Sequence, residues 1–247
     1  MAEKVTIGNC ELWHGDCREI LPTLAPCDLI LTDPPYGIGC DATIHATKPD
    51  RPSTWAKNKK YENLGWDTER PEQWVLLMLL AKGKDCILWG GNYFADALPP
   101  ARAWLFWDKM FENTTNFSHG ELAWTSLPGQ LRKFTISSKA ETRGGQDREH
   151  PTQKPVALIE WALSFAPDAQ TICDPYMGSG TTGIAAVKMG KAFVGIERER
   201  QYFDVACRRI EQAYAQPRLF EDAKPAAAVQ GDLLLPANEK LSDSRPL

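Results

Sequence analysis

Short apolar runs alternate with amphipathic stretches along most of this chain, and the runs have strand length rather than helix length. Residues 28–31, 86–89, 104–107, 170–173 and 192–196 carry nearly continuous apolar side chains. That is the pattern of strands buried on both faces of a parallel sheet. Helical periodicity fills the gaps. It predicts helices over 72–81, closed by Gly83; over 93–98, ended by Pro99-Pro100; over 155–165, with proline in the first turn; and over 181–188 and 200–213. Residues 4–7 and 11–13 read as a hairpin turned at Gly8-Asn9, followed by a short helix that starts after Asp16 and stops by Pro22. Residues 120–137 read as irregular antiparallel strands. The alternation as a whole predicts an α/β fold with an open, mostly parallel sheet and helices on both faces.

Two stretches lose all periodicity. Residues 40–65 and 138–153 are polar and loop-like, and a loop as long as the first inside a compact domain is usually functional or disordered. Beyond Gln216, prolines and alanines mix with scattered charge, which predicts a flexible tail over 216–247. One domain over residues 1–215 is therefore expected, in keeping with a length of 247 residues.

Composition changes this picture little. A 43% hydrophobic and 24% charged content is ordinary for a soluble globular protein. No apolar run approaches the roughly 20 residues of a membrane span, and the start of the chain lacks a signal-peptide layout. Seven cysteines without a C-x-x-C pair argue against a disulfide framework and for a reducing, cytoplasmic setting. The net charge of −4 does not advertise nucleic-acid binding. Local surpluses of Lys and Arg in 40–64 and 126–154 supply two surfaces on which a phosphate backbone could run, or two solvated loops.

The chemistry lies where strands end. Gly178, Gly180 and Gly183 satisfy G-x-G-x-x-G between a strand and a helix, a turn that lets a ligand approach the backbone closely. Glu197, after the next strand, is placed to accept hydrogen bonds from ribose hydroxyls. A dinucleotide is disfavoured by Asp174, whose carboxylate would repel a pyrophosphate. The same carboxylate suits a cationic ligand such as the amino-acid portion of S-adenosyl-L-methionine. Asp33-Pro34-Pro35-Tyr36, after the strand at 28–31, offers a carboxylate, a carbonyl pre-aimed by proline and an aromatic face. Those groups fit an exocyclic amino nitrogen, whose lone pair is delocalised and needs acceptors on its N–H groups before it can act as a nucleophile. A plain strand-ending turn is the alternative for the isolated tetrapeptide. His14, His45 and His119 have no metal-ligand spacing, and Pro26-Cys27 precedes its strand rather than following it. No metal is expected.

Asp33-Pro34-Pro35-Tyr36 followed by Asp174-Pro175-Tyr176-Met177-Gly178-Ser179-Gly180-Thr181-Thr182 resembles the amino-group DNA methyltransferases of the β order, in which the catalytic segment precedes the cofactor segment. The similarity spans roughly residues 8–214. It implies a Rossmann-like, S-adenosyl-L-methionine-dependent methyltransferase fold. It also implies methylation of N6 of adenine in duplex DNA, with the base flipped into a pocket made by Asp33, Pro34, Pro35 and Tyr36. N4 of cytosine, or adenine in RNA, are the alternatives. His14-Gly15-Asp16-Cys17 resembles the segment that meets the cofactor's adenine, which casts Asp16 in that role. His150-Pro151-Thr152-Gln153-Lys154-Pro155 resembles the segment that borders the methionine end, through Thr152 and Lys154. By the same resemblance Asp33, Asp174, Tyr176, Gly178, Ser179, Gly180, Thr181, Thr182 and Glu197 line the cofactor. The 40–65 loop would face DNA, and 126–149 would be a reduced target-recognition region, so specificity is either site-directed or relaxed. Dimers are common in the resembled family, which makes a homodimer one expectation, and the substrate would place the enzyme at the nucleoid.

Overall fold

The computed structural model describes residues 2–39, 65, 67–110, 118–137 and 153–216. The loop expected over 40–65 lies outside the described residues except for Gly65. The same holds for most of the loop expected over 138–153 and for the tail beyond Gln216.

The described residues build one sheet of nine strands. In chain order these are β1 (Glu3–Ile7), β2 (Cys10–His14), β3 (Cys27–Thr32), β4 (Gly83–Trp89), β5 (Trp104–Asp108), β6 (Gly120–Thr125), β7 (Arg132–Thr135), β8 (Thr171–Asp174) and β9 (Ala192–Glu197). The helices are α1 (Cys17–Ile20), α2 (Gln73–Lys82), α3 (Val156–Leu163), α4 (Thr181–Lys188) and α5 (Arg200–Ala215). Across the sheet the strands run β1-β2-β9-β8-β3-β4-β6-β5-β7. The pairings β2/β9, β9/β8, β8/β3, β3/β4 and β5/β7 are parallel, and β1/β2, β4/β6 and β6/β5 are antiparallel. The sheet is mixed and mostly parallel.

Apolar runs become central strands because both sheet faces are covered. Leu29, Leu31, Ile87 and Trp89 point to one face, where Leu158, Ile159, Ile184, Phe203 and Ile210 of α3, α4 and α5 close over them. Ile30, Cys86 and Leu88 point to the other, against Ile20 of α1 and Leu76 and Leu79 of α2. Alternate side chains of one strand thus enter different cores, which requires the unbroken hydrophobicity read from the sequence.

Two elements differ from expectation. In place of a helix over 93–98 the chain makes a 3₁₀ turn at Gly91–Phe94 and then a looser turn before Pro99. Gly90, in the left-handed region at φ 70°, starts that turn two residues early, and the prolines leave too little chain for a regular helix. The strands over 120–137 are not all antiparallel, because β6 inserts between β4 and β5 and the returning β7 runs parallel to β5 on its outer side.

Helix α4 sits close to its neighbours. A Cβ on Gly183 would lie 2.5 Å from Ile210 Cδ1 and 2.8 Å from Phe193 Cε1. Gly183→Val should therefore overpack the junction of α4, α5 and β9, and cost about 1–3 kcal/mol in urea unfolding; an unchanged midpoint would refute this packing.

Candidate active site

The carboxyl ends of the parallel strands form one rim, and the sheet order arranges the chemistry along it. β2 is followed by Asp16, β9 ends in Glu197, β8 ends in Asp174 and β3 is followed by Asp33. β6 runs the other way, so its beginning, with Glu121, reaches the same rim, as does Lys109 after β5. One half of the rim carries the glycine turn and the other half carries Asp33 and Tyr36.

In the first half, Gly178 and Gly180 adopt left-handed φ values of 51° and 80°, and Gly180 caps α4. A side chain at Gly180 would press on Ala206 of α5, with Cβ 3.0 Å away. Asp174 is buried, and its Oδ1 accepts from Thr32 Oγ1 (2.6 Å) and the Tyr176 amide (3.1 Å), its Oδ2 from Thr182 Oγ1 (2.6 Å). Burial pushes its pKa up to about 6 despite these donors. Asp174 is thus a latch that ties the glycine turn to the end of β3. Ser179 and Thr181 face the opposite way: Arg209 Nη1 of α5 lies 2.6 Å from the Ser179 carbonyl, 2.9 Å from Ser179 Oγ and 3.4 Å from Thr181 Oγ1.

Glu197 Oε2 accepts from the Gly178 amide (2.9 Å) and its Oε1 from the Glu199 amide (2.7 Å). Burial raises its pKa to about 7. Backbone amides on both oxygens thus anchor this carboxylate beside the glycine turn. Asp16 stands next to it, since the Gly15 amide donates to the Glu197 carbonyl at 2.9 Å. Its carboxylate caps α1 through the Arg18 amide (2.8 Å) and grips the Arg18 guanidinium, which holds its pKa down. Two carboxylates, Asp16 and Glu197, thus stand side by side at the glycine turn, and carboxylates accept hydrogen bonds from hydroxyl groups.

In the second half, Asp33 Oδ1 accepts the Tyr36 hydroxyl at 2.5 Å, and Oδ2 accepts the Lys154 ammonium. Lys154 Nζ also lies 3.0 Å from Glu121 Oε2, and Lys109 Nζ lies 2.5 Å from Glu121 Oε1. The Tyr36 ring stacks on Tyr93 (centroids 4.7 Å apart, planes at 14°) and rests on Gly90, where a Cβ would be 2.0 Å from Tyr36 Cε1. One aromatic face expected for a ligand is therefore taken by Tyr93. Burial raises the pKa of Asp33, and the negative charge of Glu121 adds to this against the pull of Lys154. Burial opposes the charge on Lys154, yet Asp33 and Glu121 outweigh it and keep the ammonium protonated. Glu121 is held down to about 2 by Lys154 and Lys109 against the effect of burial.

Thr152 lies outside the described residues. The other residues singled out from the sequence come to one rim, with Thr182 and Asp174 on its inner side. Lys154 was expected at the cofactor; its described contacts are with Asp33, Glu121 and Tyr36. Sequence reasoning missed Glu121, Lys109, Arg209 and Asp67. Buried Asp67 accepts the Tyr36 amide (2.7 Å) and the Gly37 amide (3.0 Å) on Oδ1, and so fixes the loop that carries the pocket. Only its place just past a polar stretch hinted at a role. Among the described residues no cluster of His, Cys, Asp and Glu is arranged to hold a metal ion, and no helix is long and apolar enough to cross a membrane.

The family model described as DNA methylase matches residues 96–208. The Type II methyltransferase M.HinfI of Haemophilus influenzae is 26% identical over an alignment covering 84% of this chain and 70% of that protein. The Type II methyltransferase M2.DpnII of Streptococcus pneumoniae is 40% identical over a shorter stretch, 31% of this chain and 28% of that protein. Among solved structures, the M1.HpyAVI–SAM complex superimposes with a TM-score of 0.57 at 21% identity, covering 81% of this chain and 98% of that one. The PvuII cytosine-N4-specific DNA methyltransferase superimposes with 0.53 at 15% identity, covering 85% and 92%. At those identities the two structures speak for the fold.

Asp67→Ala should leave two backbone amides of the pocket loop without their acceptor and cost about 2 kcal/mol in thermal or urea unfolding. A variant as stable as the parent would remove Asp67 from this role.

Proposed function

We propose that this chain is an S-adenosyl-L-methionine-dependent DNA amino-methyltransferase and that it methylates N6 of adenine, received as a flipped base at Asp33. The observation that carries this reading is the bond between Thr32 Oγ1 and Asp174 Oδ1. It joins the strand leading to Asp33 directly to the latch of the glycine turn, so pocket and cofactor cradle act as one site. The cofactor supplies the electrophilic methyl group. The chain's own residues do the rest. Gly178 and Gly180 cradle it, Asp16 and Glu197 accept from its nucleoside, and Asp174, Tyr176, Ser179, Thr181 and Thr182 shape the turn. By the resemblance, Lys154 borders its methionine end.

A base inside a duplex cannot reach a carboxylate at this rim, and flipping is the physical requirement. Asp33 then accepts an amino N–H, and the carbonyl of Pro34 is the natural second acceptor. Together they draw electron density toward the nitrogen and aim its lone pair. Tyr36 stays a neutral phenol, because burial and the adjacent carboxylates lift its pKa well above the ordinary value. It can therefore hold Asp33 by donating without carrying charge. Asp33 needs no great basicity, since the proton leaves to solvent once the nitrogen has become acidic. Orientation and fixed acceptors provide the acceleration. Asp-Pro-Pro-Tyr favours adenine over cytosine by resemblance. The DNA partner, a homodimer and a nucleoid location belong to the same reading, as does a catalytic domain ending near residue 215.

Asp33→Ala should bind the cofactor normally and lose methyl transfer to DNA by about a hundredfold or more; undiminished transfer would sink the assignment. Mass analysis of nucleosides from DNA treated with enzyme and labelled cofactor should give N6-methyladenine, and N4-methylcytosine would overturn the choice of base. Glu197 adds a pH signature. Its pKa of about 7 falls when ribose hydroxyls donate to it, because the ionised form is the better acceptor. Cofactor affinity should rise between pH 6 and pH 8 with proton release near pH 7. Calorimetry in buffers of different ionisation enthalpy would detect this, and proton uptake would contradict it.

A further inference from the structure

We propose that Glu121 is a positioning residue of the methyl-transfer site, holding the Lys154 ammonium as a shared counter-ion so that Asp33 can release it and accept an amino N–H. This rests on the function proposed above. Both oxygens of Asp33 already receive donors, Tyr36 on Oδ1 and Lys154 on Oδ2. An incoming amino group must share or displace one of them. Lys154 is 6% exposed, and a buried ammonium cannot leave a carboxylate unless a second anion is waiting. Glu121 Oε2 is that anion, 3.0 Å from Lys154 Nζ and 3.5 Å from the Tyr36 hydroxyl.

Glu121 does not follow Lys154, because Lys109 grips its other oxygen at 2.5 Å. Lys109 in turn sits over the Trp107 ring at 5.0 Å, and Lys154 over the Trp89 ring at 5.5 Å. The two ammonium groups and two carboxylates sum to zero formal charge. Removing the charge of Glu121 leaves an excess cation whose whole attraction falls on Asp33. That cation would occupy Oδ2 and repel the positive charge that grows on the amino nitrogen during transfer. The antiparallel run of β6 is what brings Glu121 to this rim.

The test compares Glu121→Gln, which keeps shape and hydrogen bonding, with Glu121→Asp, which keeps charge. Each is checked for folding by its melting curve and for cofactor affinity by calorimetry, then assayed on unmethylated duplex DNA at saturating cofactor. Glu121→Gln should lower kcat at least about tenfold with cofactor affinity retained, and Glu121→Asp should keep more activity than Glu121→Gln. A Gln variant at parental kcat, or one more active than the Asp variant, would overturn the inference. Lys109→Met is the second probe. It leaves Asp33, Lys154 and Glu121 in place but frees Glu121, and it should lower kcat about threefold or more; a folded Lys109→Met with full activity would equally overturn it. If the parent enzyme methylates no DNA, the function proposed above fails and takes this inference with it.

Discussion

A carboxylate that sits half-buried at the end of a central strand, and that in the proposed reaction must accept a proton donor from the substrate, has to be balanced by a cation that does not consume it. Asp33 meets this constraint through a chain of alternating charges, Lys109, Glu121, Lys154 and Asp33, with the Tyr36 hydroxyl as a neutral arm. Much of the right half of the sheet follows from the need to assemble it. Lys109 leaves the end of β5, Glu121 opens β6, and Lys154 enters just ahead of α3. Only an antiparallel β6 between β4 and β5 puts a strand's first residues on the rim where parallel strands finish. The aromatic surroundings keep the chain of charges out of water, where it would be screened and weak.

The left half answers a different constraint, the need to bring a ligand against backbone. Glycines in the left-handed region open the turn, and three separate contacts keep it from collapsing. Asp174 fastens it to β3, Glu197 accepts its Gly178 amide, and Arg209 holds the Ser179 carbonyl from behind. The raised pKa values of Asp174 and Glu197 have the same origin in burial. Asp174 takes its donors from side chains and backbone of the turn and of β3, whereas Glu197 takes its donors from backbone amides. Burial of the first is structural, and burial of the second holds a carboxylate at the edge of the glycine turn.

What the sequence made legible follows from range. Apolar runs and helix periodicity are local, and they located the central strands, α2, α4 and α5 within a few residues. Asp33, Asp174 and Glu197 were readable because a residue at the end of a parallel strand faces the ligand side of such a sheet. Glu121 escaped because that rule says nothing about a residue at the start of a strand. Its partner Lys154 is 33 positions away, and no short pattern links the two. Asp67 and Arg209 escaped for a related reason, since each serves backbone groups of a distant segment, and backbone groups leave no trace in residue identity. The expected helix over 93–98 failed locally, where Gly90 must turn left-handed to make room for the Tyr36 ring.

Taken as a stability device, the charged chain beside Asp33 is a poor choice, since buried ion pairs often contribute less than well-packed apolar residues of the same volume. Its location explains why it is there. An apolar replacement would leave Asp33 without a cation, and burial would then drive it toward the protonated acid, which donates where the site must accept. A single lysine without Glu121 would keep Asp33 ionised but would hold it too firmly. Two cations and two anions in alternation keep Asp33 charged while leaving its main partner a second place to go. The arrangement trades packing energy for an acceptor that is ready before a ligand arrives, and in the proposed reaction that readiness is what lets a weakly nucleophilic amino group react at this rim.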